Sequence, residues 1–573
     1  MTISHPSPDT AARAARPRAR LACLALGLAT ALAAPAISHA QDAPAPASQA
    51  QAASAPAAAA SAPVPEGPTF DILEYEITGN TVLDAAAIEI AVQDHLGPGR
   101  RMSDVEDARA ALEAAYQKAG YLTVGVDIPE QRIEDGVVRL AVAEGKVHAV
   151  YVTGSRYHSQ DWIRTRVAEL GPGRVPDFNR VQQQLAEVGR DDRRVQPVLK
   201  PGRLPGTVDI DLQVTDSLPA GGSIEVNNQH AAGTTPTRIL ASGHYDNLFQ
   251  RDHALNVTLQ TAPEKPKESE VAVANYSVPF DGGDTLATNV VVSNSNVATL
   301  GGTEVLGKGF TLGLRWQHPV GYDSGWWSFS AGFDYKDLRQ RTQFGTDGVS
   351  TPLRYLPFQF GIFGQWAAGP DRASFNGSGT FAMSPIFRRD VDCPAAGGFT
   401  RQDQFSCNHQ GSDGSFGAVK GDVRLSHQFE LASVALRMGA QFASQPLVNA
   451  EQYTLGGADT VRGYFEGEAS GDEGALASLE LKTANLAAPF GAKAAERFKE
   501  LALLAFVDAG LTYNIDPAVG QSGHTALLGI GTGARVNLRS GLDGQLDVAW
   551  PQKVTPASPR SDARVHARIA WVF

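Results

Sequence analysis

The chain has 573 residues, with 49 Lys and Arg against 61 Asp and Glu, and its formal net charge is −12 at pH 7. Proteins that bind nucleic acids carry a basic surface, so this acidic balance argues against a nucleic-acid partner. Beyond the first segment of the chain, no stretch approaches the roughly 20 consecutive apolar residues of a membrane-spanning helix, which excludes a helical membrane protein.

The first 66 residues carry two segments that we expect to lie outside the folded domains. Arginines precede an apolar run over residues 21–32, and Ser38-His39-Ala40 offers the small residues of a cleavage site. Residues 1–40 are therefore typical of a secretory signal peptide. Residues 41–66 are almost entirely Ala, Pro, Ser and Gln, a composition that cannot bury a core, and we predict a disordered linker there.

Two similar units follow, over residues 67–146 and 147–217. In the first unit a short strand leads to a Gly79-Asn80 turn, and two helices follow, the second opened by a Ser103-x-x-Glu106 capping box. Two further strands complete a β-α-α-β-β order, which the second unit repeats. Tandem repetition of one small α+β unit favours a modular arm.

Residues 218–573 consist of short alternating segments rich in glycine, in which we place sixteen candidate strands. Short turns at one end and longer loops at the other are typical of a bacterial outer-membrane β-barrel with an even number of antiparallel strands. The longest predicted connections, near residues 337–356, 384–413 and 443–474, all fall at the same end. The predicted fold class is a sixteen-stranded membrane β-barrel preceded by two small α+β domains.

The last predicted strand alternates apolar and polar residues up to Phe573, with Trp571 on the same face. In a membrane barrel the apolar residues of such a strand face lipid and the polar ones face the lumen. The terminal aromatic resembles the signal by which outer-membrane barrels are recognised for assembly. An ordinary amphipathic edge strand is the alternative.

Cys393 and Cys407 lie in the predicted fifth outer loop. In an exported protein the simplest expectation is a disulfide bridge, because the compartment is oxidising. A metal-binding pair is the alternative, and it is disfavoured because no His or Asp cluster with ligand spacing lies nearby.

Two further motifs lie in the barrel region. The sixth predicted outer loop contains Gly456-Gly457 and then Val461-Arg462-Gly463-Tyr464, and the thirteenth strand contains Phe506-x-Asp508-x-Gly510. Phe506, Asp508 and Gly510 share one face of the strand because side chains alternate. If the loop folds back into the barrel, Arg462 can reach Asp508. An ordinary solvated arginine in a surface loop is the alternative.

Two modules that resemble POTRA domains, sixteen strands and these two motifs in this order resemble the TpsB family of two-partner secretion transporters. This family includes the haemolysin and filamentous-haemagglutinin secretion/activation proteins, and the resemblance covers residues 67–573. It implies an outer-membrane pore, with its modules in the periplasm, that secretes an unfolded TpsA-type exoprotein. It also implies that the sixth outer loop folds into the lumen, where Arg462 forms a salt bridge with Asp508.

The resemblance also implies partners. A POTRA-like module has a small sheet with an exposed edge beside a helix, and an extended chain can add a strand there. The candidate surfaces are the helix over residues 103–118 and the two closing strands, with their counterparts in the second module. We further expect contact with outer-membrane lipid and lipopolysaccharide, contact with the barrel assembly machinery during biogenesis, a monomer, and no cofactor or metal.

Three other functions compete with this interpretation. An enzyme is disfavoured because the chain has no HExxH, no G-x-S-x-G and no phosphate loop, and the glycines of Gly529-Ile530-Gly531-Thr532-Gly533 lie within a strand. A diffusion porin would share the barrel but have no use for two periplasmic modules. An assembly factor of the BamA type would share every feature except the number of modules.

Overall fold

The structure is a computed structural model that describes residues 68–190, 192–300, 303–322, 324–344, 347–395, 398–517, 522–560 and 562–573. The predicted signal peptide and linker lie outside the described residues. No described helix is long and apolar enough to span a membrane. The described residues separate into an N-terminal unit and a barrel unit.

The first module of the N-terminal unit has five strands and two helices, with a short 3₁₀ turn at Gln93–His95. In chain order they are β1 (Phe70–Ile72), β2 (Glu74–Thr78), α1 (Ala85–Val92), β3 (Gly97–Arg100), α2 (Met102–Lys118), β4 (Val124–Asp127) and β5 (Val137–Glu144). The main sheet has the order β2-β5-β4, with β2 and β5 parallel, and β1 pairs separately with β3. The last strand is therefore central, and β4 forms an edge.

The core of the first module forms because α2 presents one apolar face to this sheet. Ile72, Leu112, Tyr116 and Leu140 are fully buried in one cluster. The predicted capping box from Ser103 to Glu106 is wrong, because the helix begins earlier, at Met102. The Asp104 carboxylate instead accepts the Arg101 N–H at 2.8 Å, which satisfies a free donor at the helix start.

The second module repeats this order. It contains β6 (Lys146–Thr153), α3 (Gln160–Arg166), a 3₁₀ turn (Ala168–Leu170), α4 (Phe178–Val188), β7 (Arg193–Pro201) and β8 (Thr207–Asp216). Its sheet has the order β6-β8-β7, again with the last strand in the centre. Its apolar core includes Val147, Ile163, Leu170 and Ile210.

The barrel unit closes on itself, and the described residues contain sixteen strands around its wall. They are β9 (Ala220–Asn227), β10 (Arg238–Leu248), β11 (His253–Thr261), β12 (Glu270–Pro279), β13 (Thr285–Leu300), β14 (Thr303–Tyr322), β15 (Gly325–Phe344), β17 (Phe358–Ala368), β18 (Asp371–Phe381), β21 (Gly417–Gln428), β22 (Ala432–Ala443), β25 (Glu473–Thr483), β26 (Phe498–Tyr513), β27 (His524–Leu538), β28 (Leu542–Pro551) and β29 (Arg564–Val572). All their pairings are antiparallel, and β29 closes on β9.

The outer connections contain the remaining elements. These are β16 (Asp347–Tyr355), β19 (Asp390–Ala395), β20 (Gly398–Asp403), α5 (Gln404–Asn408), β23 (Tyr453–Leu455) and β24 (Ala469–Gly471), while α6 (Ala492–Arg497) lies in a connection at the other end. The prediction of a sixteen-stranded barrel is confirmed. The alternation expected for the last strand is visible, because Val565, Ile569 and Trp571 are exposed on the lipid face while His566 is buried inside.

Candidate functional site: a loop tip fixed to the barrel wall

The connection between β22 and β25, residues 444–472, is the sixth outer loop. Its ends form the short β23–β24 hairpin, and the residues between them return to the inner wall of the barrel. Val461 and Tyr464 are completely buried and pack in one cluster with Leu476 and Leu527 of the wall. The tip of this loop therefore lies in the lumen.

Arg462 at this tip contacts Asp508 of the thirteenth wall strand. Its Nε donates to Oδ2 at 2.8 Å, its Nη2 donates to Oδ1 at 3.0 Å, and its backbone N–H donates to Oδ2 at 3.1 Å. The guanidinium also lies over the Phe506 ring, 3.3 Å from the ring centroid. A planar guanidinium suits this position because it bonds a carboxylate through two parallel N–H groups and still presents a face to an aromatic ring.

The burial of this ion pair determines how much stability is lost when one partner is removed. Only 6% of Arg462 is exposed, and Asp508 is completely buried. A pair in a wet lumen would contribute about 0–1 kcal/mol, as exposed ion pairs do. Removing one partner of a buried pair instead costs about 3–5 kcal/mol, because the other charge is left without compensation. The pair of Arg462 and Asp508 therefore holds the loop tip to the barrel wall.

Further wall residues surround the pair. Glu480 accepts from Arg462 Nη1 at 3.0 Å, and Ser478 donates to Asp508 at 2.6 Å. Asp547 lies 3.5 Å from Arg462 Nη1 and is held by Arg535, whose two terminal nitrogens donate to it at 2.6 and 3.0 Å. Arg462 thus has three anionic partners, Asp508, Glu480 and Asp547, and it shares Asp547 with Arg535.

Glycines make the close approach of the loop to the wall possible. Gly456, Gly457 and Gly463 have φ values of 105°, 107° and 99°, a region that residues with a side chain rarely adopt. On the wall, a Cβ at Gly529 would overlap the backbone oxygen of Arg462. One at Gly510 would lie 2.7 Å from Leu455 Cδ1 and 2.9 Å from Val461 Cγ2. Gly510 of the thirteenth strand and Gly529 of the fourteenth therefore leave room for the loop.

Contacts on either side of Arg462 orient the rest of the tip. Gly463 donates its N–H to His566 Nε2 on the last strand at 3.0 Å. The Tyr464 hydroxyl lies within hydrogen-bond distance of the backbone of Leu528 and Lys553, 2.8 Å from the Lys553 oxygen. Glu468 accepts from Ser558 at 2.7 Å, which joins the sixth outer loop to the eighth.

The remaining predicted residues lie away from this site. Cys393 and Cys407 form a disulfide in the fifth outer loop, between β19 and α5. Trp571 and Phe573 lie at the seam where the barrel closes, and Phe573 exchanges backbone hydrogen bonds with Gly222 at 2.9 and 3.0 Å. Both aromatic side chains are more than half exposed, toward the lipid side.

The sequence interpretation missed the residues around the central pair, namely Ser478, Glu480, Arg535, Asp547 and His566. For Ser478 and Glu480 a signal was available, because they occupy the positions of β25 opposite Asp508 and Phe506 of β26. Paired residues of neighbouring strands point to the same face. Polar residues at the inward positions of strands next to Asp508 were therefore candidates.

Comparison with known proteins identifies the family. Residues 70–145 match the model of the ShlB-type POTRA domain, and residues 366–536 match that of the haemolysin secretion/activation protein ShlB/FhaC/HecB. The chain is 23% identical over 431 residues to the heme/hemopexin transporter protein HuxB of Haemophilus influenzae, covering 73% of each chain. It is 22% identical over 508 residues to the outer membrane transporter CdiB of Dickeya dadantii, covering 85% of this chain and 83% of the relative.

The chain belongs to the TpsB family of two-partner secretion transporters. Among solved structures, CdiB from Escherichia coli has a similar fold, with a TM-score of 0.56 and 17% identity over 89% of this chain and 91% of that one. This TpsB protein is thus an outer-membrane transporter with a periplasmic POTRA domain. The matches favour a transporter over an assembly factor of the BamA type.

Proposed function

We propose that this TpsB protein recognises an unfolded exoprotein with its periplasmic modules and releases it through the barrel after the sixth outer loop has moved. The observation that carries this proposal is the loop tip, which lies inside the barrel and is fixed to the wall by Arg462 and Asp508. A barrel whose lumen contains such a segment is suited to regulated passage rather than to free diffusion. The β23–β24 hairpin forms a two-stranded sheet of its own and does not pair with the wall strands, so the loop can move as one piece.

In this proposal Arg462 and Asp508 position the loop and perform no chemistry. Val461, Gly463 and Tyr464 set the shape of the tip, and Gly456 and Gly457 form its bend. Phe506 supports the guanidinium, while Gly510 leaves space for the side chains of the loop. We propose no catalytic residue and no resident metal or cofactor.

The sheet order of the modules narrows the surface proposed for the exoprotein. Each module has two closing strands, and the last of them, β5 or β8, is central and paired on both sides, so it offers no free edge. In the second module the edge strand β7 contains Pro197 and Pro201, which lack an N–H donor. In the first module β4 has no proline, and it lies beside α2. We therefore propose that β4 and α2 accept the extended chain.

The relatives are named as a heme/hemopexin transporter and as CdiB transporters. We propose a TpsA-type cargo of the haemolysin or adhesin kind, a monomeric transporter, and contacts with lipid and lipopolysaccharide around the barrel. We also propose that Trp571 and Phe573 are read by the barrel assembly machinery, because both lie at the closing seam.

Deleting residues 67–216 tests the proposal. Export of proteins into the medium should stop, while the barrel still inserts and purified protein still conducts ions in a planar bilayer. Arg462→Ala in the full chain should also impair export with the barrel inserted. A deletion variant that leaves the set of secreted proteins unchanged would reject the role of the modules and favour a diffusion porin.

A further inference from the structure

Two aromatic side chains face the lumen near the periplasmic end of the barrel. Trp326 lies at the start of β15, and Phe363 lies in the neighbouring strand β17. Their ring centroids are 5.2 Å apart, with an interplanar angle of 70°, an edge-to-face pair. Both line a cavity of about 420 Å³ on the inner wall.

The strand register establishes that this pair points inward. Phe363 is two residues from Gly361 and four from Gln359, so the three share one face of β17. Gln359 bonds to Arg315 and to the buried Asp334 inside the barrel. On the opposite face of the same strand, Phe360 is 61% exposed toward the lipid side.

The apolar pair of Trp326 and Phe363 is unusual on this part of the inner wall. The lumen-facing neighbours on the adjoining strand segments are short polar or amide residues, namely Gln317, Ser328, Ser330, Gln365, Ser374, Asn376 and Ser378. Phe363 nevertheless leaves 42% of its surface exposed. Apolar surface left in water costs about 25 cal/mol per Å², so this exposure is unfavourable unless something covers the ring.

The space beside this pair continues to the loop tip. A second cavity of about 750 Å³ is lined by Trp326 and Gln365 at one end and by Asp459, Arg462 and Glu480 at the other. A chain that passes along the lumen from the periplasmic end toward the sixth outer loop would therefore pass Trp326. Amide side chains beside apolar rings suit a polypeptide, whose backbone bonds the amides while its apolar side chains contact the rings.

We propose that Trp326 and Phe363 form a contact site for the apolar side chains of an extended, unfolded polypeptide in the lumen. The proposal rests on the proposed export function, and it commits to the exported chain as the occupant. The linker of this chain is the other candidate for this place. Residues 41–66 contain one valine and no leucine, isoleucine, methionine or aromatic residue, so they offer almost nothing for the two rings to bind.

Photo-crosslinking of the full chain in lipid nanodiscs tests the contact directly. Phe363 is replaced by p-benzoylphenylalanine, and two dye-labelled unstructured peptides of equal length are added. One peptide contains only Gly, Ser and Asn, and the other also contains interspersed Leu and Phe. We expect the apolar peptide to be labelled about tenfold more, the ratio that 1.4 kcal/mol of binding free energy represents. The same crosslinker at the lipid-facing Phe360 is the control and should label neither peptide.

The other outcomes of this experiment overturn the proposal. Equal labelling of the two peptides, or labelling of neither, shows that the pair does not select apolar side chains. A crosslink to residues 41–66 within the chain, identified by mass spectrometry, assigns the site to the linker instead.

An export measurement separates this proposal from the function on which it rests. We expect Trp326→Ala with Phe363→Ala to reduce the secreted proteins of the native strain about tenfold, while the barrel still shows heat-modifiable mobility. The matched control is Trp327→Ala with Phe360→Ala, which removes two aromatic residues from the lipid face of the same strands and should retain export.

If the native chain exports and the variant Trp326→Ala with Phe363→Ala exports equally, the contact site is rejected and the export function stands. If the native chain exports nothing, the export function itself is rejected.

Discussion

In the first periplasmic module the completely buried side chains include Ile72, Leu112, Tyr116 and Leu140, whereas the barrel interior buries Arg462 and Asp508. The charges of the module lie at its surface, as in the half-exposed pair of Arg139 and Glu76. In the barrel the apolar side chains face the lipid, so charged side chains can occupy the inside. Structural integrity therefore rests on apolar packing in the module and on directional ion pairs at the loop tip.

The largest expected effect is at the loop tip. Asp508→Ala leaves Arg462 buried with one partner fewer, which should destabilise the tip by about 3–5 kcal/mol. We expect trypsin to cleave the inserted protein at Arg462 and export to fall strongly. The control is Glu500→Ala on the same strand, because its pair with Lys482 is about one-third exposed and should contribute about 0–1 kcal/mol. A tip that stays protected in Asp508→Ala would show that the apolar contacts of Val461 and Tyr464 are sufficient.

A core substitution in the first module tests the importance of apolar packing there. Leu112 is completely buried in α2, so Leu112→Ala should destabilise this module by about 2–5 kcal/mol through lost burial and a cavity. Hydrogen exchange of the full chain should speed up in residues 70–144 and not in the barrel. Glu113→Ala, which removes only a surface pair with Arg109, should change exchange little. Equal effects of the two substitutions would contradict the importance of apolar packing here.

The sequence predicts the positions of Arg462 and Asp508 but not the environment of the pair. Alternation along strands placed Asp508 inside the barrel, and sixteen strands with their loop lengths placed Arg462 in the sixth outer loop. The burial of the pair did not follow, because it depends on Val461 and Tyr464 packing against strands far away in sequence. Arg535 and Asp547 were also missed, since an inward charge becomes a partner only when the neighbouring strand is known. The capping box failed because two acidic residues, Asp104 and Glu106, follow Ser103 within one turn.

The second module differs from the first because it buries a charged side chain, Asp216, and the stability that this carboxylate provides should depend on pH. Asp216 accepts from the backbone N–H groups of Arg156 and Tyr157 and lies 3.2 Å from His158 Nδ1. Burial alone would raise the pKa of Asp216, but the N–H donors of Tyr157 and Arg156 and the His158 contact lower it more, and the net pKa lies below its ordinary value. The stabilisation is therefore present above about pH 4 and is lost as the pH falls through the lowered value.

Asp216→Asn tests this pH dependence by keeping the shape of the side chain and removing its charge. Hydrogen bonds to a charged group contribute about 1.5–3 kcal/mol, so we expect faster hydrogen exchange in residues 146–216 at pH 7. The difference between this variant and the native chain should shrink as the pH is lowered toward 3, because protonation removes the same charge. A difference that is constant over this range would show that the carboxylate charge is not the source of the stability.

The smallest expected effect on transport comes from the disulfide between Cys393 and Cys407. It closes a sequence separation of 14 residues within the fifth outer loop, and its cysteines pack with Val391 rather than with the loop tip. A bridge of this kind stabilises mainly by restricting the unfolded segment, so its loss should act on this loop alone.

We expect Cys393→Ser with Cys407→Ser to retain export and the protection of Arg462 from trypsin, while proteolysis within residues 382–416 becomes faster. Alkylation of the denatured native protein should find neither of these cysteines reactive before reduction. A loss of export in the double variant would show that the fifth outer loop takes part in transport, and the loop-tip contacts would then no longer be a sufficient account of how the pore is controlled.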